Sequence, residues 1–361
     1  MNILVVGSGP QALFMLRVFS EISEKIELAA LSCKVACYSN IPKAIYNFNS
    51  KYELSTFIRE KINSVDFVCF AGGAEIQSML EVDSDIFNAK NVQPNKLDAL
   101  NILSSKILSY NRAEKMAINI LPSCMLNDAL DKGVDFNGPY ILKWNEENLN
   151  PIYSEFKTKI FTNIDELIAF SDGFDKEACS KLILQKYLKA GAGQGVSYLG
   201  YYVDGKHLFG MLGQQLLQYP MGITAHIAEY QSSDSGEIIN SAIHLIESTS
   251  FTGFGEVEFI IDPEDGRYYL LEVNPRPCGW ASAMLGKYEN ISSMIIDNSV
   301  EPNITSESVE WINVLRFLRS SLEVGPYSCL RALVRVPFIH CYDVFSLRDI
   351  KPFLSQFKSN K

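Results

Sequence analysis

An apolar run from Ile3 to Val6 breaks at GSGPQA and resumes as an apolar-periodic stretch from Leu13 to Phe19, which predicts strand, tight turn and helix. Similar runs at Ile26 to Leu31 and Val65 to Ala71 predict two more strands, the second ending at Gly72-Gly73 before another helix. Strand alternating with helix predicts a doubly wound, Rossmann-like α/β domain over residues 1–92.

The pattern then changes. A helix-like stretch of mixed polarity from Asn95 to Asn119 leads through Leu121-Pro122 to a short strand at Tyr140 to Lys143, predicting linker helices and a small α+β lobe over 93–180. Strands dominate 181–300: Leu182 to Tyr187, Val196 to Val203 and His207 to Leu212, then a helix from Ile238 to Ser248 and a hairpin from Glu256 to Val273. Residues 301–361 form a C-terminal extension, helix-prone from Trp311 to Leu322. The whole is expected to be mixed α/β and α+β, without internal repeats.

Composition narrows the class. The chain has 361 residues, 47% of them hydrophobic and 20% charged, enough for two or three packed cores. A net charge of -10 opposes a nucleic-acid polyanion, and no run of about 18 apolar residues could span a bilayer. Neither nucleic acid nor membrane is expected as a partner. The N-terminal MNILVVGSG lacks the charged region and long apolar run of a signal peptide, so the cytoplasm is the expected compartment. Eight cysteines without zinc-type spacing read as reduced thiols.

Two segments suggest chemistry. Gly7, Gly9 and Ala12 fit a GxGxxA turn, where helix N-terminal amides take a pyrophosphate, but LAALSCKVAC offers no acidic residue for a dinucleotide ribose. A plain tight turn is the stronger reading, and a nicotinamide oxidoreductase remains the lesser alternative.

The run GFGEVEFIIDPEDGRYYLLEVNPRPCGW carries more. A loop over Pro263 to Arg267 would set Asp262 opposite Tyr268 and Glu258 opposite Glu272, with Asn274 on the face of Glu272. Like charges facing across a ladder call for a cation between them. Two carboxylates and an amide oxygen suit Mg²⁺, with Mn²⁺ as the alternative. Arg276 follows on the same parity, stiffened by Pro275 and Pro277.

With these motifs the chain resembles the ATP-grasp superfamily, notably its carboxylate-amine ligases and the related biotin carboxylase and carbamoyl-phosphate synthase folds. The resemblance implies a Rossmann-like domain followed by a two-lobed ATP-grasp domain. It implies metal binding by Glu258, Glu272 and Asn274, and contact of Arg276 with phosphate or the reacting acyl group. Lys143 in GPYILKW stands where relatives hold ATP phosphates, and Arg112 in SYNRAEKMA where they carry a lysine before a helix. LILQKYLKAG resembles the adenine-gripping hinge, with Gln185 in place of a common Glu and Lys186, Tyr187 and Leu188 along the edge. Gly193, within GAGQGVS, would cover phosphates, and His226 would approach ribose or substrate.

The implied reaction activates a small-molecule carboxylate as an acyl phosphate with ATP and passes it to an amine. Bicarbonate-dependent carboxylation and a degenerate ATP-binding scaffold remain open beside it, and a homodimer is one assembly the resemblance suggests.

Overall fold

The computed structural model describes residues 1–147, 150, 156–189, 191, 193–306 and 308–357. Strands β1 (Asn2–Val6), β2 (Lys25–Ala30), β3 (Ala44–Asn47), β4 (Phe67–Phe70) and β5 (Val92–Gln93) form a parallel sheet in the order β3-β2-β1-β4-β5. Helices α1 (Pro10–Phe19), α2 (Lys51–Lys61) and α3 (Gly73–Val82) connect them. The central strands are buried along nearly their whole length, as a parallel sheet covered on both faces requires.

Gly7 has φ of 130°, and a Cβ there would lie 2.7 Å from the backbone nitrogen of Gly72. The turn after β1 packs against the turn after β4, so close backbone approach accounts for the glycines that resembled a dinucleotide fingerprint.

The helical stretch after the first domain forms two helices, α4 (Leu97–Ser104) and α5 (Lys106–Lys115), divided at Ser105, whose hydroxyl caps α5 by accepting from the amide of Leu108. Next comes a small lobe. Its strands β6 (Ser123–Met125), β7 (Tyr140–Trp144), β8 (Thr158–Phe161) and β9 (Leu182–Lys186) form a sheet ordered β6-β9-β7-β8, flanked by α6 (Leu126–Lys132), α7 (Ile164–Ser171) and α8 (Lys176–Cys179). Sequence alone grouped β9 with the strands that follow it. The structure pairs it antiparallel between β6 and β7 instead.

The large sheet contains β10 (Gly195–Val203), β11 (Lys206–Gln218), β12 (Thr224–Glu229), β13 (Gly253–Ile261), β14 (Tyr268–Asn274), β15 (Glu310–Ile312) and β16 (Cys341–Tyr342), in the order β14-β13-β10-β11-β12-β15-β16. Helix α9 (Ser235–Glu247) crosses it, and the short α10 (Met284–Lys287) and α11 (Ile291–Ile296) follow the hairpin. The tail adds α12 (Val314–Val324), α13 (Pro326–Arg335) and α14 (Lys351–Ser355). The helix expected from Trp311 begins at Val314, because Trp311 is a buried strand residue donating to Ser282 Oγ at 2.8 Å while Asn313 caps the helix.

Two buried clusters join the N-terminal sheet to the large sheet, one linking Ile3 and Leu13 with Tyr201 and Trp280, the other Leu4 and Val68 with Val257 and Phe259. The small lobe packs on its own cluster around Leu142, Trp144, Phe161 and Leu184. The molecule is thus a large body with a separately cored lobe above the β13/β14 hairpin. Among the described residues no helix is long and apolar enough to cross a membrane.

Candidate active site

The hairpin places Glu258 directly opposite Glu272 and Glu256 opposite Asn274. The route differs from the uninterrupted ladder expected: Ile261, not Asp262, faces Tyr268, and a bulge between Glu258 and Phe259 restores the register. Leu271 is the extra residue of that bulge. Its carbonyl accepts from the Tyr110 hydroxyl of α5 and, at 3.3 Å, from Lys143 Nζ of β7.

Strand alternation sets Glu256 on the same face as Glu258, and Glu256 is 4% exposed. Its Oε1 accepts from Ser197 Oγ at 2.5 Å and from Trp280 Nε1 at 2.9 Å. Asn274 Nδ2 reaches Glu256 Oε2 and Glu258 Oε1, each at 3.1 Å. Burial, then the neighbouring charges of Glu256 and Glu272, push the Glu258 carboxyl well above the usual carboxylate range. Burial also acts upward on Glu272, but Lys106, Lys157 and Lys143 outweigh it and hold that carboxyl at about 2. One carboxylate is therefore fully charged, while at its partner Lys157 and Arg276 do not offset burial and the two neighbouring acids.

Among the described residues no group of three His, Cys, Asp or Glu side chains has metal-binding geometry. Here the donor set is two carboxylates and an amide; the excess negative charge at Glu258 fits a hard divalent cation bound with Glu272, and Asn274, whose Oδ1 accepts from Arg276 at 3.4 Å while its Nδ2 faces Glu258, would join them by turning its amide over.

Around these acids stand cations. Lys143 is buried and donates to Tyr110 Oη and Gln185 Oε1, both at 2.9 Å, besides Leu271. An ammonium has three hydrogens, so neutral protein acceptors use all of them. Burial brings Lys143 down to about 8, against the opposing pull of Glu272 and Glu258. Lys106, the first residue of α5, pairs with Glu272 at 3.2 Å. A cavity of about 330 Å³ opens between these groups, bordered by Lys106, Lys143, Lys157, Glu272, Asn274 and Arg276. Gly73, at the N-terminus of α3, lines it as well; a Cβ there would meet Glu147 and Arg276.

The structure thus gathers Glu258, Glu272, Asn274, Arg276 and Lys143, with Gln185 behind Lys143. It does not gather Arg112, whose guanidinium binds Ser248 Oγ at 2.7 Å and the Ser248 carbonyl at the end of α9. Lys106, six residues earlier in the same helix, lines the cavity and meets Glu272 instead. Gly193 lies outside the cavity lining, its carbonyl accepting from Gln214 Nε2 at 2.7 Å; Ala190 and Ala192 of that loop fall outside the described residues. The cavity is bordered instead by the β7–β8 connection through Glu146, Glu147 and Lys157.

His226 is on β12, four strands from β14, bonded to Glu310 at 2.6 Å beside Phe317, and burial lowers its pKa. It lies outside the cavity lining. Lys186, Tyr187 and Leu188 lie off the lining: the amides of Lys186 and Tyr187 donate to the Pro122 and Pro139 carbonyls, both at 2.8 Å, while that of Leu188 has no acceptor among the described residues. Sequence reasoning missed Glu256, Lys106, Tyr110 and Lys157. The parity of GEVEF could have revealed Glu256, and Ser105-Lys106 carries a cap-plus-lysine signal; nothing in the pattern marks Tyr110 or Lys157.

No curated protein matches the sequence. The sequence model of the carbamoyl-phosphate synthase L chain, ATP binding domain, matches residues 228–279, which contain the hairpin. Among solved structures, N5-carboxyaminoimidazole synthetase from Staphylococcus aureus complexed with ADP is similar with a TM-score of 0.66 and 15% identity, covering 90% of this chain and 86% of that one. L-amino acid ligase from Bacillus licheniformis gives 0.63 and 11%, covering 86% and 78%. Biotin carboxylase from Campylobacter jejuni, as its β,γ-ATP complex, gives 0.62 and 16%, covering 81% and 70%. By architecture and by the hairpin at its centre, this chain has the fold of the ATP-grasp ligases.

Proposed function

We propose that the chain is an ADP-forming ligase that activates a small-molecule carboxylate with ATP and transfers the acyl group to an amine. The observation that carries this reading is the convergence of Glu272 and Asn274 with Lys106, Lys143 and Arg276 around one cavity, with Glu258 directly opposite Glu272 in the hairpin behind its wall. Mg²⁺, or Mn²⁺ in its place, held by the first three residues would neutralise the transferring phosphoryl oxygens.

The residues divide the work. Lys106 and Lys157 hold phosphate charge, and Lys143 joins them by exchanging its long bond to Leu271 for a phosphate oxygen. The Leu188 amide is the hinge donor for the base. The carboxylate oxygen attacks the γ-phosphorus, ADP departs, and an acyl phosphate remains. Amine attack on the carbonyl carbon then expels phosphate, with Arg276 stabilising the oxyanion and Glu146 or Glu147 at the rim taking the ammonium proton. All eight cysteines are free thiols, which fits a cytoplasmic enzyme.

A second reading, bicarbonate as the carboxylate, draws on the likeness to the carboxyaminoimidazole synthetase and biotin carboxylase structures. Screening carboxylate and amine pairs for phosphate release, with mass spectrometry of products, tests both. Release requiring an organic carboxylate supports the ligase, and release requiring only bicarbonate supports carboxylation. No magnesium-dependent release from any pair would leave a nucleotide-binding scaffold.

A further inference from the structure

Helix α13 is mounted with its apolar side outward. Its inward side is Ser328, Cys329 and the buried Ala332, whereas Tyr327, Leu330 and Val334 recur at steps of three and four on the opposite side, and Phe338 continues that line. Each of these four is more than half exposed, Tyr327 and Phe338 by 75% and 78%. Leu322 and Val324 extend the surface around the Gly325 turn, and a hydrogen bond from Tyr219 to Glu323 brings the β11–β12 turn, with the exposed Met221, to the same end. The apolar stripe of a surface helix ordinarily faces the core. Here it faces water.

The charge around the stripe has one sign. Residues 314–361 hold eight Lys and Arg against three acids, so this last stretch carries +5 while residues 1–313 carry -15. Of the three acids, Asp343 and Asp349 are buried, bonded to Asn313 and Ser39, and Glu323 accepts from Tyr219. Arg331 and Arg335 run along one flank of the stripe; Arg335 pairs with Glu310, while Arg331 and, on α12, Arg319 stand exposed. Positive charge gathered on one face of an acidic chain turns that face toward an anionic surface.

Two features select lipid over protein as that surface. Side chains three-quarters in water stand proud of the fold, and a protein partner would need a pocket for each, whereas a fluid headgroup layer needs none. A helix of low overall hydrophobicity with an apolar outer side and a basic flank also has the pattern of one that lies in the plane of a membrane interface. No described helix can cross a bilayer, which bears on spanning one and not on lying against it. Helix α12 rests on β12, four strands from β14, so contact at this face leaves the candidate active site open.

We infer that the outer face of α13, together with the α12–α13 turn, is a docking surface for an anionic lipid bilayer. The stripe enters the headgroup region and the exposed arginines meet lipid phosphates, holding the chain to the membrane from one side.

Flotation of the full chain with mixed phosphatidylglycerol and phosphatidylcholine vesicles tests this. Partitioning roughly tenfold or more above that onto pure phosphatidylcholine is expected, declining as salt is raised. Leu330→Glu with Val334→Glu is expected to abolish it with an unchanged circular dichroism spectrum. Should that variant fail to fold, Arg331→Glu, on the exposed flank, is expected to weaken partitioning by about tenfold. A wild type that stays lipid-free overturns the inference, as does equal partitioning onto both vesicles or partitioning that neither substitution lowers. A chain that stays lipid-free and instead forms a dimer in sedimentation equilibrium, lost with Leu330→Glu and Val334→Glu, assigns the face to a second copy and overturns it equally.

Discussion

At the scale of single residues, the site is an unequal pair of carboxylates. Glu272 is charged because three lysines surround it, whereas Glu258 is buried beside Glu256 and Glu272 and resists ionisation. Glu258→Gln should therefore do two opposite things: lower magnesium-dependent turnover by on the order of 100-fold or more, and raise the melting temperature of the metal-free protein, since a neutral amide relieves the buried repulsion. Steady-state assays and calorimetric melting read the two separately; near-normal turnover would remove Glu258 from the metal site. Lys106 and Arg112 make a second contrast. Lys106→Ala should raise the ATP requirement at least tenfold, while Arg112→Ala, which loses its bonds to Ser248, should lower stability with little change in KM for ATP. Lys143 supplies the pH dependence. Its ammonium loses its proton as pH rises through about 8, so activity should decline on that basic limb. A limb that persists in Lys143→Arg, which stays charged, would assign it to another group.

At the scale of elements, the β13/β14 hairpin decides the geometry, and its bulge turns the Leu271 carbonyl toward Lys143 and Tyr110, linking the small lobe, α5 and the large sheet at one atom. The facing of Glu258 and Glu272 was legible in the sequence because β alternation sets Glu272 and Asn274 on one side and the length of the loop between the strands sets Glu258 opposite Glu272. The bulge was not, since a register slip that two compensating errors conceal leaves no periodic trace. Lys106 was obscured for another reason. The helix break at Ser105 depends on a hydroxyl cap that Asn145 reinforces from 40 residues away, and a local window reads straight through it. Likewise β9 looks like the first strand of the large sheet until its partners, β6 and β7, are known. The linkage between charge and stability belongs here too. A carboxyl with a raised folded pKa binds more protons than the unfolded chain, so the stability of the metal-free protein should fall as pH rises above the ordinary carboxylate range. Mg²⁺ should offset that loss, giving a thermal shift larger at pH 8 than at pH 6; a shift independent of pH would show that Glu258 does not take up the cation.

At the scale of the molecule, the N-terminal sheet and the large sheet share cores while the small lobe keeps its own, apart from Ile183 of β9, which joins the second shared cluster. A lobe with a largely separate core can close as a unit over the nucleotide of the proposed reaction, held there by Lys143 and the Leu188 amide just beyond β9. Hydrogen exchange should then show amides of β7 and β9 gaining protection with ATP and Mg²⁺ while those of β10 hardly change; uniform protection would argue against independent closure. The net charge of -10 gives the molecule a repulsive average field for a triphosphate, so on the proposed function the local cluster of Lys106, Lys143, Lys157 and Arg276 would be the means of admission.

The most direct measurement is a calorimetric titration of ATP into the wild type with Mg²⁺, into the wild type with EDTA, and into Glu258→Gln/Glu272→Gln with Mg²⁺. Binding at least tenfold tighter with Mg²⁺ than with EDTA, and a variant with no such advantage, are the predicted results. Equal affinity with and without the metal, or a variant that keeps the full magnesium dependence, would contradict the account.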